Sequence, residues 1–226
     1  MPKKFRKKSS KDKKQDKRIK SLEKFVFKTL ENKQVNYSNP GGNDISTSGY
    51  VASQFLTLQA GPEDGTDLGD EARIGDSITL MRQQIDCYMV QSTTDSFNRM
   101  RMLIVEALDG NEPLVLSDVL YHSNYTTSGD LVFSSPYTTK TNTNRRYKIH
   151  MDKSFELNNN AQGATRKIKH VVKYREKGSP GKVVEYSGPG SLNATNHRLC
   201  IMWISDSVST SHPQVHYNVR STYKDA

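Results

Sequence analysis

The stretch "RYKIHMDKSFEL" (146–157) places Tyr147, Ile149 and Met151 on alternate positions, with Lys148, His150 and Asp152 between them. Successive side chains of a strand point to opposite faces, so this period of two reads as a half-buried β-strand. Neighbouring segments read the same way. "ATRKIKHVVKYRE" (164–176) follows it as a further strand, and "RIGDSITLMRQQIDCYMVQ" (73–91) is Ile-rich and long enough for one bent strand or two. "RMRMLIVEAL" (99–108) reads as a central strand, and "HRLCIMWISDS" (197–207), apolar on both sides, as a deeply buried one. "GYVASQFLTL" (49–58) opens the series and "QVHYNVRSTY" (214–223) closes it, with a short strand at Leu131–Phe133. The fold class is therefore all-β: about eight antiparallel strands in two packed sheets, a single jelly roll of the kind that hosts capsid and lectin domains.

Charge divides the chain sharply. Residues 1–24, "MPKKFRKKSSKDKKQDKRIKSLEK", hold 12 Lys or Arg and 3 Asp or Glu. The remainder holds 21 of each (33 − 12 and 24 − 3), so the whole net charge of +9 sits in the lead. A like-charge run this dense buries no apolar surface and is expected to be disordered alone. Its bland reading is a solvated tail that aids solubility. Its functional readings are a nuclear import signal, "PKKFRKK", and a nucleic-acid arm built from Lys3, Lys4, Arg6, Lys7, Lys8, Lys11, Lys13, Lys14, Lys17, Arg18, Lys20 and Lys24. Ten of the twelve are Lys, which act as point charges and suit bulk neutralisation better than base recognition. The following "IKSLEKFVFKTLENK" has weak apolar spacing and reads as a short helix that forms when the arm docks, and "SNPGGND" (38–44) reads as a break. Residues 1–44 are accordingly assigned to the arm and 45–226 to the domain.

Other classes find little support. Cys87 and Cys200 lie in separate apolar runs and read as buried free thiols. The charged N-terminus lacks the apolar core of a secretory signal, and no apolar run reaches the length of a membrane span, so the sequence reads as intracellular. His212 and His216 stand four apart across Pro213, without the helix of a zinc-protease pair. Neither a Gly-rich phosphate cradle nor a nucleophile elbow is present, and the expectation is a non-enzyme without metal or cofactor. Glu63, Asp64, Asp67, Asp70 and Glu71 crowd one loop, which reads first as a solvated surface and second as a calcium site, with Arg73 as a basic neighbour.

Two blocks carry a family resemblance. "ARIGDSITLMRQQI" (72–85) resembles a stretch in coat proteins of small circular single-stranded DNA viruses. "RRYKIHMDKSFELNNN" (145–160), followed by "RKIKHVVKYRE" (166–176), resembles a second shared block, and the basic arm completes the pattern. The layout is also similar to coats of satellite RNA viruses. The Lys-rich arm departs from the Arg-rich arm usual in the circovirus branch. The resemblance implies a homo-oligomeric icosahedral shell of about sixty copies around a single-stranded genome, DNA before RNA. It further implies location in the virion and, during assembly, in the host nucleus, with the import machinery as a partner. In a viral jelly roll alternate loops gather at one end, which the sequence assigns to 59–73, 109–130, 158–165 and 206–213, with 176–196 opposite. The first set would surround the fivefold axis and bring copies of the acidic loop into a ring. Should the arm not bind the genome, Arg145, Arg146, Lys148, Arg166, Lys167 and Lys169 are next in line. The competing readings are a lectin-like binding domain and a nucleic-acid-binding domain that builds no shell.

Fused to a reporter, "PKKFRKK" is expected to carry it into the nucleus of a eukaryotic cell. A reporter left in the cytoplasm removes the import role and leaves the packaging role standing.

Overall fold

Among the described residues nine strands fold in the chain order β1 (Asn32–Asp44), β2 (Tyr50–Ala52), β3 (Ser77–Val90), β4 (Phe97–Ala107), β5 (Tyr147–Asn158), β6 (Thr165–Lys173), β7 (Lys182–Glu185), β8 (Arg198–Ser205) and β9 (Gln214–Asp225). Between β4 and β5 lie two one-turn helices, α1 (Leu116–Val119) and α2 (Tyr125–Ser128), and a 3₁₀ segment, Gly129–Ser134. The computed structural model describes residues 14–19, 21–22, 32–58, 72–73, 75–108, 114–138, 147–158, 164–174, 181–188, 190–208 and 211–225. Residues 14–19 and 21–22 are helical, where the charge run predicted disorder; Lys, Gln and Arg are good intrinsic helix formers.

Pairing is antiparallel throughout and nested. One sheet runs β1-β9-β3-β6, with β7 also on β3; the other runs β2-β8-β4-β5. First pairs with last, second with next to last, and so inward to β4 with β5, which is the jelly roll read from the sequence. β6 takes Arg82–Val90 of β3 and β7 takes Ser77–Leu80, so the two lie end to end on one partner.

The sandwich core lies between the sheets: Ile78, Leu80, Ile85 and Met89 from β3, Met100, Met102 and Ile104 from β4, and Leu199, Ile201 and Trp203 from β8. The residues between them on β4 and β8 are buried too. Leu103, Val105, Cys200, Met202 and Ile204 form a second cluster with Leu116, Val119, Leu120 and Val132 of the β4–β5 connection. β8 is buried at every position, as its two-sided apolar sequence predicted. Both thiols are free and buried, and burial pushes Cys87 up to about 12 and Cys200 to about 11.

Arg101 staples the second cover in place. Its guanidinium donates to both carboxylate oxygens of Asp152 (2.9 and 2.7 Å) and to the Val132 and Ser135 carbonyls. Tyr137 Oη donates to the same carboxylate at 2.6 Å.

Several expectations change. The break at 38–44 lies inside β1, as a bulge between Asn39 and Asn43, and the ladder with β9 starts at Asn32, ahead of residue 45. β1 is an edge strand, where Pro and a bulge are tolerated. The expected strand 49–58 ends at Ala52, because Gln54 takes a left-handed conformation (φ 69°) and turns the chain. Leu131–Phe133 is 3₁₀ helix, not strand. Tyr147, Ile149 and Met151 do not share a face: a bulge between Ile104 and Val105 shifts the register at His150, so Tyr147 and Ile149 join the second cluster and Met151 the sandwich core. Arg73 is no surface neighbour of the acidic loop. It is fully buried, stacked over Tyr186 at 4.3 Å, and donates to the carbonyls of Gly75, Gly188 and Ser191.

Loop placement changes as well. The connections that follow β1, β3, β5 and β8 leave from one end of the sandwich, where Asp44 faces Gln214 and Val90 faces both Gln214 and Thr165. The β2–β3 and β4–β5 connections leave from the opposite end, with the β7–β8 connection; Leu58 donates its backbone N–H to Leu192, and Lys33 Nζ bonds the Ala72 carbonyl. The acidic residues 63–71, themselves outside the described residues, are thus attached at the end away from 158–165 and 206–213. A missed first strand shifted the alternation, and a strand wrongly counted at 131–133 shifted it back.

The sheets are also tied by charge. Glu106 of β4 has no exposed surface and accepts from His150 Nε2 (2.8 Å), His197 Nδ1 (2.7 Å) and Lys182 Nζ (2.8 Å), the last reaching across from β7. Burial alone raises a carboxyl; the hydrogen bonds from His150, His197 and Lys182 outweigh it and hold Glu106 well below the usual carboxylate range. A depressed carboxyl contributes stability above its unfolded value and loses it as pH falls through the folded one. Glu106→Gln is therefore expected to cost about 3–5 kcal/mol at neutral pH, since it strands Lys182 beside two imidazoles. The difference from the unaltered chain, measured by denaturant titration, should shrink as the pH is lowered below about 4.

Candidate nucleic-acid interface

With one sheet covered on both sides, the outer face of the β1-β9-β3-β6 sheet is left uncovered by any described element. Register decides what it shows. Directly opposed residues of antiparallel strands share a face. Gln83 with Ser221 and Ile85 with Val219 are buried toward the core, so their even-numbered neighbours point outward. Four rows result across β9, β3 and β6: Thr222–Arg82–Lys173, Arg220–Gln84–Val171, Asn218–Asp86–Lys169 and His216–Tyr88–Lys167. Arg82, Lys167, Lys169, Lys173 and Arg220 are all exposed. Against these five cations the four rows hold one carboxylate, Asp86, whose Oδ1 is 3.9 Å from Lys169 Nζ. Asp44 and Glu185 stand at opposite ends of the sheet, opposite Gln214 and Ser77.

Side-chain hydrogen bonds orient the two arginines along the sheet. Arg220 Nε donates to Asn36 Oδ1 at 3.0 Å and Arg82 Nε to Thr222 Oγ1 at 3.4 Å. The β6 lysines stand on an edge strand, with Ile168, His170 and Val172 alternating between them. A face of this kind attracts phosphate without reading sequence.

Of the arm residues, Lys14, Lys17 and Arg18 fall in the helical stretch. Lys3, Lys4, Arg6, Lys7, Lys8, Lys11, Lys13, Lys20 and Lys24 lie outside the described residues, as do Arg145, Arg146 and the acidic Glu63, Asp64, Asp67, Asp70 and Glu71. Among the second-line candidates, Lys167 and Lys169 are brought together on the face. Arg166 points the other way and lines a groove with Arg99, Phe155 and Glu156 between β6 and β5. Lys148 sits on β5 opposite Glu106, in the other sheet. Sequence reading missed Arg82, Lys173 and Arg220. Lys173 continues the alternation of Lys167 and Lys169 and was readable; Arg82 and Arg220 join only through cross-strand register. His216 is on the same face, its Nδ1 donating to the Pro40 carbonyl at 2.9 Å, whereas His212 Nδ1 lies 3.4 Å from Ser207 Oγ.

The class that the fold defines is the two-sheet jelly roll. No family model and no curated protein matches the chain. Among solved structures it is similar to a chain of Desmodium yellow mottle tymovirus, over 87% of each chain, with 8% identity and a TM-score of 0.37.

Replacing Lys167, Lys169 and Lys173 together by Gln is expected to leave the circular dichroism spectrum unchanged. It should lower the slope of log affinity for single strands against log salt by about 2, that is, about 0.7 for each lost phosphate contact. An unchanged slope means the face does not meet phosphate.

Proposed function

We propose that this chain is a viral coat protein whose jelly-roll domain assembles with copies of itself into a closed shell and whose Lys-rich lead holds a single-stranded genome inside it. The observation that carries the reading is the placement of charge. All of the net +9 lies in residues 1–24, which precede β1, and β1 is the edge strand of the sheet with the bare basic face. The remaining chain, balanced at 21 basic and 21 acidic residues, allows copies to pack side by side without large mutual repulsion. In a shell of about sixty copies the leads supply on the order of 500 positive charges, enough to offset a comparable number of phosphates. DNA as the genome, and passage through the host nucleus, follow from the resemblance of residues 72–85 and 145–176 and from the "PKKFRKK" run.

Purified full-length protein is expected to elute as a very large particle, to show closed shells by electron microscopy, and to protect single-stranded DNA from nuclease. Deleting residues 1–24 should preserve the folded domain and strip the nucleic acid. A small oligomer at every salt and pH, without particles, overturns the shell and favours a lectin-like or simple nucleic-acid-binding domain. Particles that keep their full nucleic-acid content after the deletion move genome binding from the arm to the basic face.

A further inference from the structure

β5 ends one sheet and β6 the other, so the two edge strands face each other along one side of the sandwich. Between them runs an open groove of about 450 Å³. Its floor is apolar: Phe155 of β5 and Ile168 of β6 are partly buried and pack against the sandwich core. Its rim is mostly cationic, with Arg99, Arg166 and Lys167 against the carboxylate of Glu156.

These cations are not engaged inside the protein. Among the described residues the side chains of Arg166 and Lys167 have no hydrogen-bond or ion-pair partner. The Arg99 guanidinium, one-third exposed, meets Asp130 and Glu156 only at 3.7 and 3.8 Å, beyond hydrogen-bonding distance. Edge strands also turn unpaired backbone N–H groups outward. A free inorganic anion would meet the rim and leave the apolar floor wet. An apolar ligand would cover the floor and leave the arginines without acceptors. A nucleotide unit meets both, with its phosphate at the rim and its sugar and base on the floor.

Lys167 joins the groove to the bare face. It also lines a depression of about 270 Å³ on that face, beside Pro40 and Tyr88. Arg166 and Lys167 are neighbours on one edge strand and point to opposite sides of it, so a polyanion passes from the face to the groove over β6 alone. The turn is tight, because packed sheets lie about 10 Å apart. A duplex, with a persistence length of about 50 nm, does not make it. A single strand does.

We propose that the groove between β5 and β6 seats a single strand that crosses from the basic face over the edge of β6. Arg99 and Arg166 hold a phosphate, and Phe155 and Ile168 support the sugar and base without reading which base it is. This deepens the packaging reading and rests on it: the arm gathers the strand by charge, and the groove selects a strand flexible enough to turn.

The test uses the full chain, freed of nucleic acid at high salt, with a short oligothymidylate and a duplex of equal length as probes. Ser154 lines the groove and is exposed. Both native thiols are buried, so a benzophenone maleimide on a Ser154→Cys variant labels that position alone. On irradiation it is expected to crosslink oligothymidylate and spare the duplex. The same label on Thr127→Cys, exposed on the β4–β5 connection, should crosslink neither. Arg166→Gln should lower the slope of log affinity for oligothymidylate against log salt by about 0.7. Glu156→Gln, which removes the opposing charge, should tighten binding about two- to fivefold. The seat is overturned if position 154 crosslinks no better than position 127, if it takes the duplex as readily as the single strand, if Arg166→Gln leaves the slope unchanged, or if Glu156→Gln fails to tighten binding. Those outcomes leave packaging by the arm in place, whereas failure of the unaltered chain to bind either probe sinks both.

Discussion

Met202 and Trp203 are neighbours on β8, face opposite sides of their sheet, and are both fully buried. A strand apolar on both faces needs two covers, because water against either face forfeits about 25 cal/mol for each Å² of apolar surface. The opposite sheet is one cover. The β4–β5 connection is the other, and its two single-turn helices and 3₁₀ segment are too short to hold themselves together. They are held by Leu116, Val119 and Val132 in the second cluster and by Arg101, whose guanidinium reaches two backbone carbonyls and a carboxylate at once. Once this sheet has taken the connection, none of the described helical segments between strands is left for the other sheet. Its outer face stays bare and must be polar to remain in water.

Net charge is a poor guide to what such a face displays. Beyond the lead, acids and bases balance in number, and several of them are withdrawn into the structure as pairs. Glu106 is held by two imidazoles and an ammonium, Asp152 by Arg101 and Tyr137, and Asp225 by Lys33. Lys167 and Lys173 stand in solvent, and Lys169 between them lies 3.9 Å from Asp86. A neutral sum thus conceals one face that is mostly positive, and the location of each charge, not its count, sets the field that a polyanion meets.

Most strands that sequence reading found have their burial written in their own residues, β3, β4 and β8 by their apolar runs and β5 by alternation, with β6 and β9 read beside them. β1 escaped because its sequence, NKQVNYSNPGGND, buries little beyond Val35. It is a strand because β9 offers it a ladder, which is a tertiary fact. The segment Leu131–Phe133 misled for the opposite reason: its apolar residues are genuine, but they cover a sheet instead of joining one. The bulge at His150 left no local mark, since the alternation through Tyr147, Ile149 and Met151 is unbroken in sequence and broken only by pairing with β4. The basic face was half visible for a related reason. Lys167 and Lys169 share a strand, while Arg82 and Tyr88 reach them only across one strand boundary and Arg220 across two.

The end-to-end arrangement of β6 and β7 has a practical side. Tyr174 donates its backbone N–H to the Met81 carbonyl, and Lys182 faces Leu80, so the chain leaves β3 and rejoins it at adjacent residues. Residues 175–180 therefore bridge two points that the ladder already holds together. A foreign peptide spliced between Tyr174 and Gly181 shifts no register and asks no strand to find a new partner. Closing a longer loop there costs only about 0.6 kcal/mol for each doubling of its length. The position is a natural graft site, at which the scaffold can present an epitope while its own sheets fold around an unchanged set of pairs.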